Sequence, residues 1–198
     1  VSLPRSTVGE HVFWSEVGDV VGDGWLDVVI AGTKGVISIT PARAGQAIQI
    51  SPNVAPSLYS GLGMMELQDI DLDGDLDVLA SGFSEETGVF LKVFENRGDG
   101  KNWTPVDVPT PATRVPEGRV VGLEPFCFGK PEQLAVLALS GTGVPVVVRA
   151  APRGKLIRMV LDGGRSSRDG LGAVVDVAQG SHWQRRVLSD GGAGQSGC

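Results

Sequence analysis

The sequence predicts an all-β chain: a partial β-propeller of about three blades, followed by a small β module. Three observations predict it. The 198 residues include 29 Gly and 12 Pro, spaced along the chain as punctuation. No stretch of a dozen residues carries clean helical periodicity without a breaker, and the apolar runs are short and stop at Gly, as buried strands do. A loop-and-strand segment also recurs 50 residues on, a period that suits propeller blades.

The first unit contains Val17-Gly18-Asp19-Val20-Val21-Gly22-Asp23-Gly24-Trp25-Leu26-Asp27-Val28-Val29, which aligns with Leu67 to Leu79. Asp19 matches Asp69, Asp23 matches Asp73, Gly24 matches Gly74 and Asp27 matches Asp77. An apolar strand is expected after each loop, Leu26 to Ala31 and Leu76 to Ala80. A second follows each, Val36 to Thr40 and Val89 to Glu95. A third unit keeps the strands without the acids: Leu134 to Ser140 ending at Gly141, then Val144 to Arg149. In the place of its loop, Phe128-Gly129-Lys130-Pro131-Glu132 retains one carboxylate, so no metal is expected there. Turn glycines Gly45, Gly100 and Gly154 follow the second strands at spacings of 55 and 54.

Residues 1–150 thus form the repeat region. Propellers close with about four to eight blades, and an open arc leaves unpaired strand edges. The start at Val1 rather than Met suggests a longer parent; closure of the arc by another route is the alternative. After the linker Ala150 to Gly154, residues 151–198 form the small module. Its expected strands are Leu156 to Leu161, Ala173 to Ala178 and Trp183 to Leu188.

The densest chemistry lies at Asp69-Ile70-Asp71-Leu72-Asp73-Gly74-Asp75-Leu76-Asp77. Five carboxylates at alternate positions repel one another unless a cation sits among them. Oxygen-only ligands in a flexible loop suit Ca²⁺ better than Mg²⁺, which keeps its waters. Gly74 supplies the sharp turn. Asp69, Asp71, Asp73 and Asp77 are expected to give side-chain oxygens, and Asp75 its backbone carbonyl. An EF-hand needs a bidentate Glu at loop position twelve; here that position is Ala80 and an apolar strand follows at once. In the first loop Val21 replaces the third ligand. Asp19, Asp23, Asp27 and Trp25, the last in the place of Asp75, either hold calcium weakly with water in the gap or simply form a turn.

Other function classes find little support. The net charge of −6 argues against nucleic acid or an anionic membrane as the main partner, and no apolar run approaches a membrane span. His11 and His182 stand outside any zinc or nucleophile motif, and no phosphate-binding Gly loop opens a helix. Cys127, between Phe126 and Phe128, reads as a buried thiol; a bond to the terminal Cys198 is the alternative. Arg165, Arg168, Arg185 and Arg186 form either an anion patch for acidic glycans or solvated positions on a small sheet. Arg97-Gly98-Asp99 taken alone suggests an integrin ligand, but Asn96 to Gly100 is also what a hairpin turn requires.

The spacing Asp-x-Asp-x-Asp-Gly-x-x-Asp before an apolar strand resembles the loops of FG-GAP and VCBS repeats. Ser167-Arg168-Asp169-Gly170-Leu171-Gly172-Ala173-Val174-Val175-Asp176-Val177 resembles the opening of an ASPIC/UnbV domain, with Leu171 in the place of the usual Ile, and the closing motif of that domain is absent. The two together resemble the cartilage acidic protein family and its bacterial relatives. That resemblance implies a secreted or surface-exposed, non-enzymatic protein that acts through calcium-stabilised interaction with a protein or glycan at the cell surface or matrix. The rival expectation is the non-catalytic part of a calcium-dependent propeller enzyme of the polysaccharide lyase type, or a carbohydrate-binding surface protein.

Overall fold

The computed structural model describes residues 11–33, 35–40, 49–55, 61–84, 88–107, 120–127, 134–140, 145–149, 153–154, 159, 161–162, 164, 170–180 and 182–188. For several strand residues, among them 36–40 and 49–55, only the backbone is described. The described residues form strands and no helix, an all-β arrangement.

The first sheet runs β1 (Val12–Gly18), β2 (Asp27–Gly32), β3 (Gly35–Thr40) and β4 (Gln49–Ala55), antiparallel and in chain order. The second repeats the plan with β5 (Gly61–Gln68), β6 (Asp77–Ser84), β7 (Gly88–Asn96) and β8 (Trp103–Asp107). The third has β9 (Val120–Cys127), β10 (Leu134–Ser140) and β11 (Pro145–Arg149), and a hairpin of β12 (Val174–Gln179) and β13 (His182–Val187) ends the described chain. The sequence foresees the second and third strands of each unit. The first strands β1, β5 and β9 and the outer strands β4 and β8 carry weaker patterns. Of the strand expected over 156–161, the described residues Met159 and Leu161 lie outside any strand. Cys198, Arg165, Arg168, Gly45 and the 128–132 loop fall outside the described residues, as do the side chains of Cys127 and His182.

One irregularity recurs in all three sheets. The first strand holds an extra residue opposite the end of the second: Phe13 between the partners of Gly32 and Ala31, Gly63 between those of Gly82 and Ser81, Val121 between those of Ser140 and Leu139. Such bulges bend the strand and increase its twist. They also set the true alignment of the third unit. Ser140 is the counterpart of Gly32 and Gly82, one residue before the Gly141 that its sequence ending suggests. A slip of one residue exchanges the faces of a strand.

The faces explain the apolar runs. In β6, Val78 and Ala80 point toward the first sheet and join Val29, Ala31, Met65, Leu67 and Phe94 in one core. The intervening Leu79 points the other way, into a second core with Leu91, Val93, Leu123, Val136 and Ala138. A strand covered on both sides must be apolar at every position. Neighbouring sheets meet chiefly through β1, β5 and β9, with less contact between outer strands, so the three sheets fan out from their first strands. None is closed on itself.

Candidate metal centre

The loop 69–77 joins the buried β5 to the buried β6. It wraps inward because its own amides bind its own carboxylates. The Gly74 N–H donates to Asp69 Oδ2 at 3.1 Å, the Asp73 N–H to Asp71 Oδ1 at 3.2 Å and the Asp75 N–H to Asp73 Oδ1 at 3.0 Å. Asp77 closes the loop, accepting from the Ile70 N–H and the Asn96 N–H, both at 2.9 Å. Gly74 has φ 106°, and Leu72 takes φ 59° where the first loop has Gly22. A left-handed leucine is uncommon and strained; burial of its side chain holds it there.

The outcome is a convergence of three carboxylates. Asp69, Asp71 and Asp77 each present an oxygen, all within 4.8 Å of one another, and they form the one such group among the described residues. They can hold a metal ion. Asp73 is exposed, and the Asp75 carboxylate accepts from Gln184 Nε2 at 3.4 Å, so neither side chain belongs to the convergence.

Burial makes these acids reluctant to ionise. Burial pushes Asp77 up to about 8, against the opposing amides of Asn96 and Ile70. It pushes Asp69 up to about 6, with Asp73 and Asp71 adding repulsion and Arg186 opposing. Asp71 rises to about 6 through burial and then Asp73, against the pull of Arg153. Asp69 Oδ1 is buried and accepts no hydrogen bond. Arg153 Nη1 lies 2.9 Å from Asp71 Oδ2, an ion pair without hydrogen-bond alignment. Its Nη2 binds Glu95 Oε2 at 2.8 Å, and its N–H donates to the Asp71 carbonyl at 2.5 Å.

The first loop is satisfied differently. Asp19 is fully buried, and its two oxygens accept four amides: Gly22 at 3.0 Å, Asp23 at 3.1 Å, Gly24 at 2.9 Å and Arg185 at 2.9 Å. Asp27 Oδ2 accepts from Val20 and Val21. The Trp25 N–H donates to Asp23 Oδ1 at 3.0 Å, and its ring is exposed. Asp19, Asp23 and Asp27 are therefore not gathered as Asp69, Asp71 and Asp77 are.

Asn96 ties the loops together. Its side-chain amide donates to the carbonyls of Val20 and Leu76, and its Oδ1 accepts from Gly98 and Gly100, both at 3.1 Å. Gly98 and Gly100 have φ 80° and 63°. A side chain added at Gly100 would meet Val20 and Val21. Asp99 accepts from Lys101 and Asn102 within the same turn, which lowers its pKa despite its slight burial. The Arg-Gly-Asp tripeptide is thus built into the turn between β7 and β8.

The tail hairpin sits on both loops. Through β13, Gln184 reaches Asp75 and the Arg185 N–H reaches Asp19. The Arg186 side chain is largely desolvated near Asp69, Asp19 and Asp75, and that burial lowers its pKa. The Arg185 guanidinium binds Asp176 at 2.7 and 2.8 Å. Arg185 thus keeps a partly exposed position on the small sheet, paired with Asp176, whereas Arg186 is not a solvated position, since it is desolvated beside the acids.

The convergent carboxylates were legible as residues. Arg153, Asn96, Gln184 and the orientation of Arg186 were not; only the Asn-x-Gly-x-Gly pattern hinted at the role of Asn96. No protein-family model matches the chain, and no curated protein matches it.

Proposed function

We propose that residues 69–77 form a structural calcium site in an open arc of propeller-type blades, and that the chain is a non-enzymatic extracellular interaction module. One observation carries the metal reading: Asp69, Asp71 and Asp77 converge within 4.8 Å, and a buried oxygen of Asp69 has no hydrogen-bond donor. An unmade buried bond to a carboxylate is costly, and an all-oxygen donor set suits a hard cation. Those three side chains would hold the ion. Asp73 and the backbone carbonyl of Asp75 complete the set expected from the sequence. The ion would supply charge that lets the three acids ionise together.

The blade reading is supported by the 50-residue repeat, the recurring bulge and sheets that fan out from their first strands. The FG-GAP/VCBS and ASPIC/UnbV resemblances supply the extracellular setting and a protein or glycan partner. Calorimetric titration of the purified chain with Ca²⁺ tests the metal. One site is expected, abolished by Asp71→Ala and retained in Asp23→Ala. Absence of heat and of any thermal shift in a folded sample would overturn it.

A further inference from the structure

We propose that two copies of this chain associate head to tail, the outward face of the third sheet in one copy covering the outward face of the first sheet in the other. The argument comes from positions made equivalent by register. Each sheet has a face directed back along the chain and a face directed forward. In the second sheet the backward face carries the pairs Leu67–Val78 and Met65–Ala80, all four at 0% exposure. In the third sheet it carries Leu123, Val136 and Ala138, again buried. The matching pairs of the first sheet are Val17–Val28 and Ser15–Ile30. There Val17 is 48% exposed, Ser15 is exposed, and Val28 and Ile30 are only half-buried.

The forward face mirrors this. Val29 and Ala31 in the first sheet and Leu79, Ser81 and Val93 in the second are buried. Their third-sheet counterparts are Leu137, Leu139 and Val147. Leu139 and Val147 are each 42% exposed, and Leu137 is half-buried. Among the described residues these two faces are the two halves of a joint that the chain already makes twice internally. A joint between different faces is heterologous, and it closes only if the rotation per step allows. Sheets that fan from a common inner line supply such a rotation. On the blade reading proposed above, two arcs of three described sheets give six, within the range of about four to eight that closed propellers contain. The metal loop plays no part in either face, so the calcium reading and this one fail or succeed separately.

Light scattering coupled to size exclusion, on the full chain at tens of micromolar, tests it. The expected mass is twice the 20.6 kDa of one chain. Val17→Asp and Leu139→Asp alter exposed positions and should each give a folded monomer, checked by circular dichroism. Val17→Ser and Leu139→Ser serve where an Asp variant does not fold. Mixing the two variants leaves one joint intact and should restore dimer. A monomeric wild-type chain, a dimer broken by only one of the substitutions, or species that grow without limit as concentration rises would each overturn the proposal.

Discussion

The side-chain amide of Asn96 donates to the backbone carbonyl of Val20 at 2.6 Å, joining the end of β7 to a loop 76 residues earlier. The same side chain binds Leu76, Gly98 and Gly100, and the same residue's N–H binds Asp77. One buried amide thus fixes both acidic loops and the β7–β8 turn. Asn96→Ala should leave several buried groups unpaired, at about 1–3 kcal/mol for each group that water cannot reach. A loss of about 3 kcal/mol in urea unfolding with calcium present is expected. A loss indistinguishable from that of an exposed alanine control would show that the hub carries no weight.

Arg153 competes with any cation for Asp71. Its guanidinium sits 2.9 Å from Asp71 Oδ2, with the arginine side chain half exposed, so solvent screens the pair and its effect on stability is small. Arg153→Ala keeps the backbone N–H that binds the Asp71 carbonyl. Calcium affinity should rise a few-fold, while the unfolding midpoint in EDTA should move little. Weaker calcium binding in the variant would mean that Arg153 orients Asp71 instead of competing for it.

Glu66 sets a pH dependence away from the metal loop. Glu16, Glu66 and Glu124 occupy the same rung of their sheets, opposite Val29, Leu79 and Leu137. Burial, then Glu16, then Glu124, pushes Glu66 from 4.5 up to about 8. The folded chain holds this proton more tightly than the unfolded chain does. Its contribution to stability is therefore complete below about pH 4.5 and is lost as pH rises through about 8. Glu66→Gln should flatten the fall in urea midpoint over that window. An unchanged slope in the variant would place the pH dependence elsewhere.

How much of this was legible follows from what is local. Alternating carboxylates around Gly74 and a repeat of 50 residues are patterns in one short window, and the sequence displays them directly. The register of the third sheet is not local. Its Gly141 suggests one alignment, and the bulge at Val121 imposes another, so the directions of Leu137 and Leu139 were hidden. Arg185 and Arg186 look alike in the sequence. Only the pairing of β12 with β13, which sets Arg185 opposite Asp176, separates the paired arginine from the buried one. The contrast between Asp19 and Asp69 was also out of reach, because Asp19 takes its fourth amide from Arg185, 166 residues away.

That last bond has a kinetic meaning. Each sheet is made of consecutive strands in chain order, so each can assemble from contacts close in sequence, the kind that form fast. During synthesis the first sheet can be complete while the third is still being made, since folding proceeds from the N-terminal end. The hairpin of β12 and β13 emerges after the three sheets and reaches back 166 residues to Asp19. Its bonds to Asp19 and Asp75 can therefore form only after the first two sheets, which a shared apolar core already joins, have been made.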